Sequence, residues 1–214
     1  MDASNRRWKK GKKSSLLFYE NKIRYKELQF NKIFHLHPYF GEMLKDLDCA
    51  TIADVGAGMF STTGSTWENK KIILYPSDIL ADEYNEILTR HNVKPIIPVK
   101  KEDMTNLSYD NNFFDIVNSI NALDHCSNPM KALQEMYRVC KVGGWIYTRN
   151  FYNNAEYEHY NGFHEWNMAD ENDDCVIWNN ENKFYVSDYF ERFEVSRQSY
   201  IDNRDISIIL KIRK

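Results

Sequence analysis

Two acids and a pair of glycines in the first half of the chain are spaced for binding a nucleotide. Residues 51–58 read TIADVGAG, an apolar run that contains Asp54 and ends in a turn with Gly56 and Gly58, and Asp78 follows the next apolar run. In nucleotide-binding α/β units the glycines of the first turn let the backbone approach the cofactor, and the later acid hydrogen-bonds the ribose hydroxyls. The spacing therefore predicts a nucleotide cofactor at this turn.

A second pair of reactive side chains, Asp124 and His125, comes after the apolar run 114–120. Open α/β sheets bind ligands at the carboxyl ends of their strands, and the pKa of an imidazole suits proton abstraction near neutrality. We expect His125 to act as a general base, with Asp124 orienting it and His164 as the reserve base. The alternative is that His125 only bonds the backbone of the following turn, which Asp124 caps.

Residues 157–167, YEHYNGFHEWN, combine aromatic rings, imidazoles and amides. This mixture suits the apolar faces and hydroxyl edges of a sugar ring. We expect Phe163 and Trp166 to stack on an acceptor, and His164 and Glu165 to bind or deprotonate its hydroxyls. The alternative is an aromatic mini-core that holds this segment onto the sheet.

Periodicity and turn residues predict the elements that position these groups. Asn128 and Pro129 supply an N-cap and a first-turn proline for one of the helices, which Gly143 and Gly144 end. The predicted helices cover part of 15–48, with a short second helix through Met43 and Leu44, then 81–90 and 129–142. The predicted strands are 51–55, 72–75, 95–99, 114–120, 145–148, 175–178, 184–186, 193–196 and 206–212.

Alternating strands and helices indicate an α/β fold with a doubly wound, mainly parallel sheet. The last two strands are expected to close it as an antiparallel pair. We expect a single domain over 1–214, with a flexible basic tail (1–14), a helical cap (15–48) and an acceptor-side insertion (151–183).

Composition excludes several classes of protein. The 214 residues carry a net charge of −3, and basic residues concentrate within the first 13, so the remainder is too acidic for a nucleic-acid groove. No stretch approaches the roughly 18 apolar residues of a membrane span, and the basic start lacks the pattern of a signal peptide. These features predict a cytoplasmic protein without a membrane span or a nucleic-acid partner.

No metal site is expected from the sequence. The four cysteines are widely scattered, which indicates neither a disulfide framework nor structural zinc. His35 and His37 lack a nearby carboxylate or thiol, and the acidic run 170–174 is interpreted as a solvated loop rather than a cation site. We therefore expect activity to persist in excess chelator.

The glycine turn and the segments after it resemble the class I S-adenosylmethionine-dependent methyltransferases, in particular the small-molecule group of methyltransferase type 11 that includes the ubiquinone-biosynthesis enzymes. The resemblance covers about residues 51–148. It implies a Rossmann-like fold with a seven-stranded sheet and S-adenosylmethionine as the cofactor. Phe60 stands where the family often has a third glycine, so the turn must either accommodate this bulky side chain or direct it into the core.

The resemblance also implies roles for individual residues. The family's motif I, which contacts the methionine part of the cofactor, corresponds to Asp54, Gly56, Ala57 and Gly58. The acid that binds the ribose hydroxyls corresponds to Asp78, with Ile79 beside it, and the pair that brackets adenine corresponds to Asp103 and Met104. Asn121 begins the segment at the active site. A nicotinamide dehydrogenase is the poorer interpretation, because residues 56–61 lack the last glycine of G-x-G-x-x-G.

Three functions remain open for the chain. The preferred one is O-methylation of a small-molecule or glycan acceptor, a saccharide or polyol, because a quinone pocket should be lined by aliphatic residues. The second is methylation of a quinone, phenol or amine metabolite. The third is a non-catalytic domain that binds S-adenosylmethionine. DNA amino-methyltransferases are disfavoured because residues 121–124 read NALD where that group has an Asn/Asp-Pro-Pro-aromatic motif.

Overall fold

The computed structural model describes residues 3–24, 31–199 and 206–214. Its helices are α1 (Ala3–Arg24), α2 (Phe40–Leu44), α3 (Ala81–Arg90), α4 (Pro129–Val139) and α5 (Asn154–Tyr157). Its strands are β1 (Cys49–Val55), β2 (Lys71–Asp78), β3 (Lys100–Lys101), β4 (Phe114–Ile120), β5 (Cys140–Phe151), β6 (Asn167–Glu171), β7 (Asp174–Trp178), β8 (Lys183–Tyr185), β9 (Phe193–Ser199) and β10 (Ile206–Arg213). Single 3-10 turns cover Leu123–His125 and Val186–Asp188.

Seven strands form one sheet in the order β3-β2-β1-β4-β5-β10-β9. The first five are parallel neighbours, and β10 is antiparallel to both β5 and β9. The chain order reverses direction between β1 and β4, which places the carboxyl ends of these strands at the switch point where open α/β sheets bind ligands. The predicted fold class, a mainly parallel Rossmann-like sheet with an antiparallel C-terminal strand, is confirmed.

Both faces of the sheet are buried, as the apolar runs of a doubly wound fold require. Along β1, Ala53 and Val55 belong to the core under α4, whereas Ala50 and Ile52 belong to the core under α2. The strands β6, β7 and β8 form a separate antiparallel sheet, whose buried side chains join the α4 core. This small sheet anchors the segment that precedes it beside the carboxyl ends of β4 and β5.

Local signals located most elements correctly. Helix α3 has the predicted bounds, and the Asn128 side chain caps α4 by accepting from the Lys131 amide at 2.9 Å, with Pro129 in the first turn. The prediction that Gly143 and Gly144 end this helix was wrong. The helix stops at Val139, and both glycines lie within β5, where Gly144 passes too close to the Asp115 carbonyl for a Cβ.

Two further boundaries were wrong. The strand predicted at 95–99 is the two-residue β3, because only Lys100 and Lys101 reach backbone partners on β2. The predicted flexible tail 1–14 is instead the first half of α1 from Ala3 onward. Its basic residues are held by acids elsewhere, since Arg7 pairs with Glu165 at 3.3 Å and Lys12 pairs with Glu83. Residues 25–30 of the predicted helical cap lie outside the described ranges.

No helix in the described part of the chain combines the length and apolar character needed to cross a bilayer.

The Asp115 carboxylate ties three strands together at the start of β4. It accepts hydrogen bonds from the Thr51 amide at 2.8 Å, the Thr51 hydroxyl at 2.7 Å and the Lys141 ammonium at 2.7 Å. Although burial acts to raise it, the bonds from Lys141 and Thr51 hold the pKa of Asp115 below its ordinary value. The folded pKa is depressed, so this contribution to stability is present above the ordinary carboxyl pKa and lost as pH falls through the folded value.

Replacing Asp115 by Asn should lower the free energy of unfolding by about 1.5–3 kcal/mol at neutral pH, the range for hydrogen bonds to charged groups. The deficit should shrink as the pH falls below about 4, because the wild-type carboxylate is then protonated as well. Urea unfolding at several pH values measures both effects. Asp173→Asn, in an exposed turn with φ +64°, is the control. An equal deficit at every pH would show that the charge is not the stabilising element.

Candidate cofactor and acceptor site

The glycine turn after β1 has no room for side chains. Gly56 and Gly58 adopt φ values of +75° and +69°, and the amides of Gly56 and Ala57 donate to the Ser77 carbonyl at 2.8 and 2.9 Å. A Cβ on Gly56 would lie 2.3 Å from the Ala122 Cβ. The backbone of this turn is therefore held at the carboxyl ends of β1 and β2, directly against the segment that follows β4.

Asp54 supports this turn from beneath. Its buried carboxylate accepts from the Ser61 hydroxyl at 2.5 Å and from the Asn118 amide at 2.8 Å. Burial raises the pKa of Asp54, against these hydrogen bonds. Asp54 thus fixes the loop to β4 rather than facing a ligand, which corrects its expected role as a direct cofactor contact. Phe60 packs against the α1–α3 core, one of the two arrangements that the sequence left open.

Asp78 lies at the end of β2, beside the glycine turn. We call the glycine turn together with Asp78 the cofactor cradle. One carboxylate oxygen accepts from the Gly58 amide at 2.9 Å and the other from the Leu80 amide at 2.8 Å. Burial raises the pKa of Asp78 although both amides act to lower it. The neighbouring Ile79 is exposed, so its apolar side chain is available to a ligand.

The other expected cofactor contacts differ in their availability. The half-buried Met104 points at the glycine turn, since its Cε would lie 3.3 Å from a Cβ on Gly56. Asp103 is exposed but bonded within its own turn, to the amide and hydroxyl of Thr105 at 2.8 Å each. Asn121 has φ +50°, and its buried Oδ1 has no hydrogen-bond partner among the described residues.

These features fit S-adenosylmethionine. A glycine backbone with positive φ, a carboxylate one strand away and an unpaired buried amide oxygen at Asn121 are groups that suit its methionine and ribose parts. Gly56, Gly58, Asp78 and Asn121 would hold the cofactor.

Helix α1 crosses over this cradle. The Tyr19 hydroxyl lies so near Gly58 that a Cβ there would be 1.9 Å from it, and the Tyr19 ring packs edge-on against Tyr84 of α3 at 4.8 Å. Burial, aided by the Asp78 carboxylate, raises the pKa of Tyr19 to about 12. The sequence analysis missed this residue, because nothing in its local pattern shows that α1 lies on the glycine turn.

Asp124, His125 and His164 form one polar cluster. The His164 Nδ1 lies 2.9 Å from Asp124 Oδ2 and 3.1 Å from His125 Nε2, and the last two atoms are 3.3 Å apart. The Asp124 side chain is 3% exposed, whereas those of His125 and His164 are 35% and 27% exposed. The cluster is therefore closed around the carboxylate and open at the imidazoles.

The electrostatics of the cluster keep the acid ionised. Although burial acts to raise it, contacts from His125, His164 and Asn154 hold the pKa of Asp124 below its ordinary value. Burial lowers the pKa of His125, a shift that Asp124 opposes and His164 increases. The lowered pKa of His125 favours the neutral ring, whose nitrogen lone pair can accept a proton or bind a cation.

Backbone hydrogen bonds bring His164 to this place. The amides of Glu165 and Trp166 donate to the Asp124 carbonyl at 3.0 and 3.3 Å, and the Trp166 indole donates to the Cys126 carbonyl at 3.0 Å. Asn154 Nδ2 lies 2.9 Å from Asp124 Oδ2 and 3.0 Å from His164 Nδ1. No sequence signal marked Asn154, whose role depends on α5 reaching the 3-10 turn.

The expected acceptor-binding residues separate into two groups. Trp166 is 4% exposed and belongs to the α4 core, so the prediction that it stacks on an acceptor was wrong. Phe163 is half-buried, with its ring centroid 5.7 Å from that of His125 and 4.9 Å from that of Trp8. Phe163 and Glu165 thus lie between the cluster and α1, which contacts Phe163 through Trp8 and Glu165 through Arg7.

The sequence suggested no group of metal-ligating side chains, but the fold brings three candidate ligands together. One ligand atom each from Asp124, His125 and His164 lie within 4.8 Å of one another. The sequence could not indicate this, because 39 residues separate the two histidines.

Residues 53–148 match the protein family described as "Methyltransferase domain". The match covers slightly less than half of the chain and includes the glycine turn, Asp78 and the pair Asp124–His125. It supports the predicted methyltransferase character of this part of the chain, with S-adenosylmethionine as its cofactor.

Comparisons of sequence and of structure also find methyltransferases that are similar to this chain. An uncharacterized methyltransferase of Schizosaccharomyces pombe is 33% identical over 109 residues, which are 44% of this chain and only 37% of that protein. The crystal structure of a SAM-dependent methyltransferase from Methanosarcina mazei is 16% identical, with a TM-score of 0.49 over 84% of this chain and 99% of that one. A SAM-dependent methyltransferase from Thermotoga maritima, described as a possible histamine N-methyltransferase, is 19% identical, with a TM-score of 0.49 over 92% and 98%. Likeness at this level says nothing about the acceptor.

Replacing Asp78 by Ala should weaken binding of S-adenosylmethionine and S-adenosylhomocysteine by about 1.5–3 kcal/mol, the scale for losing hydrogen bonds to a charged group. Calorimetric titration measures the change. Asp82→Ala is the matched control, because this acid also lies near the end of β2 but is exposed and pairs with Lys101 at 2.6 Å. Unchanged affinity in a folded Asp78→Ala variant would remove Asp78 from the site.

Proposed function

We propose that the protein transfers a methyl group from S-adenosylmethionine to a hydroxyl group of a small saccharide or polyol. Bound S-adenosylmethionine supplies an electrophilic methyl group on a sulfonium. The domain match supports the cofactor, and the acceptor class is inferred from the polar groups of this chain.

The observation that carries the proposal is the contact between Gly56 and Ala122. Ala122 lies against the glycine turn, and its carbonyl accepts from the His125 amide at 3.1 Å in the 3-10 turn. Three residues of such a turn advance about 6 Å. The Asp124–His125–His164 cluster is therefore one turn away from the cradle, at the distance of an acceptor bound next to the methyl group.

Methyl transfer to a hydroxyl is an in-line displacement in which the new C–O bond forms as the C–S bond breaks, its electron pair returning to sulfur. The chain must orient the acceptor oxygen and assist the departure of its proton. The exposed imidazoles of the cluster can do both. His125 is the first candidate for the general base, and His164 is the second. Asp124 positions the two rings through its contacts at 2.9 and 3.3 Å.

A hydroxyl-rich acceptor is supported by unpaired buried polar atoms near the carboxyl end of the sheet. Asn150 on β5 is 1% exposed, and both of its amide atoms lack partners within the described residues. Ser119 Oγ on β4 and Asn153 Oδ1 just after β5 are also unpaired there. Buried polar groups are normally satisfied, and hydroxyl groups can satisfy both donors and acceptors.

A transfer assay with radiolabelled S-adenosylmethionine tests the acceptor class. Free sugars, nucleotide sugars and polymer-linked sugars should be methylated on oxygen, whereas phenols and amines should not. Transfer to a phenol or an amine alone would favour the metabolite alternative. Binding of S-adenosylmethionine without transfer to any class would favour a non-catalytic domain.

Once the transfer assay has identified an acceptor, turnover of the His125→Ala variant can be measured. It should be about 10²- to 10⁴-fold lower than that of the wild type, the range for lost proton-transfer assistance, while cofactor affinity stays near normal. His164→Ala compares the second imidazole. His159→Asn is the control, since His159 is exposed and its φ of +53° suits asparagine. Full turnover in both cluster variants would exclude the cluster from the reaction.

A further inference from the structure

We propose that Asp124, His125 and His164 bind one divalent transition-metal ion, which holds the acceptor oxygen beside the methyl group. This inference rests on the proposed function and gives the two imidazoles the role of ligands, so that the ion rather than a free imidazole assists the loss of the acceptor proton. Neither the domain match nor the relatives assign a metal to the cluster.

The three candidate ligand atoms form a nearly equilateral triangle with sides of 2.9, 3.1 and 3.3 Å. Metal–nitrogen and metal–oxygen bonds of about 2.1 Å place neighbouring ligands about 3.0 Å apart at right angles and about 3.4 Å apart in a tetrahedron. Two of the sides lie within these limits and the third, at 2.9 Å, is about 0.1 Å shorter, so one ion above the triangle can contact all three atoms without large movement.

Hydrogen bonding alone does not account for this arrangement. The His164 Nδ1 offers a single in-plane position, either a proton or a lone pair, yet it lies within 3.1 Å of Asp124 Oδ2, Asn154 Nδ2 and His125 Nε2. If Nδ1 carries a proton, it can donate to the Asp124 carboxylate but cannot accept from the Asn154 amide. If Nδ1 carries a lone pair, it can accept from the amide but cannot donate to the carboxylate. A cation satisfies the carboxylate and both ring nitrogens together.

The surroundings resemble the support that metal ligands usually have. The Asn154 amide, 8% exposed, donates to Asp124 Oδ2, and the amides of Glu165 and Trp166 fix the Asp124 backbone. Three ligands from the protein leave coordination positions open to water or substrate. The exposure of the two imidazoles places that opening on the side of Phe163, towards the acceptor space.

The donor set selects the kind of ion. Two imidazole nitrogens with one carboxylate oxygen suit Zn²⁺, Mn²⁺, Fe²⁺, Co²⁺ or Ni²⁺, whereas Mg²⁺ and Ca²⁺ prefer sites made of oxygen alone. An ion of this kind lowers the pKa of a bound hydroxyl. The acceptor proton then leaves to solvent water, and the bound oxygen forms the new C–O bond as the C–S bond breaks, so His125 and His164 act as ligands.

Cobalt(II) is the probe, because its visible absorption reports coordination independently of activity. Full-length protein, stripped with chelator and dialysed, should bind one equivalent of Co²⁺ and, in calorimetry, one equivalent of Zn²⁺. His125→Ala and His164→Ala should each lower affinity by 100-fold or more. His159→Asn should bind as the wild type does. Because His125 and His164 are both partly exposed, we expect the two variants to fold. Circular dichroism checks that they do.

Absence of stoichiometric Co²⁺ and Zn²⁺ binding, or binding that survives both His125→Ala and His164→Ala, would overturn the site. So would full methyl transfer by chelator-stripped protein, a result that would leave the proposed methyltransferase function standing. Stoichiometric binding lost in both variants supports the metal site. If that binding is found but no acceptor is methylated, the methyltransferase proposal fails and the metal site remains.

Discussion

The Asp124 carbonyl, which accepts the amides of Glu165 and Trp166, is the interaction on which the candidate site depends. It joins the 3-10 turn after β4 to a segment 40 residues later, and the buried Trp166 indole reinforces the joint through the Cys126 carbonyl. Without this joint His164 would have no fixed relation to Asp124. Because two backbone bonds and a core side chain hold it, the cluster is positioned by backbone hydrogen bonds and packing as well as by its own polar contacts.

The cofactor cradle and the acceptor side share helix α1 as a common cover. Tyr19 lies over Gly58 at one end, whereas Trp8 packs on Phe163 and Arg7 pairs with Glu165 nearer the other. A single helix of 22 residues therefore contacts both the glycine turn and the residues beside the cluster.

The sequence predicted what local physics determines. Helix α4 has its cap and proline at Asn128 and Pro129, and β4 is rich in apolar residues, so both were located correctly. Gly56 was expected to approach the cofactor, and the structure shows its backbone held against Ala122. The errors involve contacts distant in the chain: the helical start of α1 depends on Phe163 and on acids far along the sequence, and Trp166 has the composition of a binding residue but the position of a core residue.

The buried charge of Asp124 explains why these distant contacts must meet at one point. An ionised carboxylate removed from water costs several kcal/mol unless charge or strong hydrogen bonds compensate it. The side-chain groups described around it are two imidazoles and one amide, whereas Asp115, at the opposite end of β4, has an ammonium partner in Lys141. No Lys or Arg side chain among the described residues pairs with Asp124 in the way that Lys141 pairs with Asp115. The proposed metal ion would supply a positive charge beside this buried carboxylate, and in the proposed reaction the same charge would act on the acceptor oxygen.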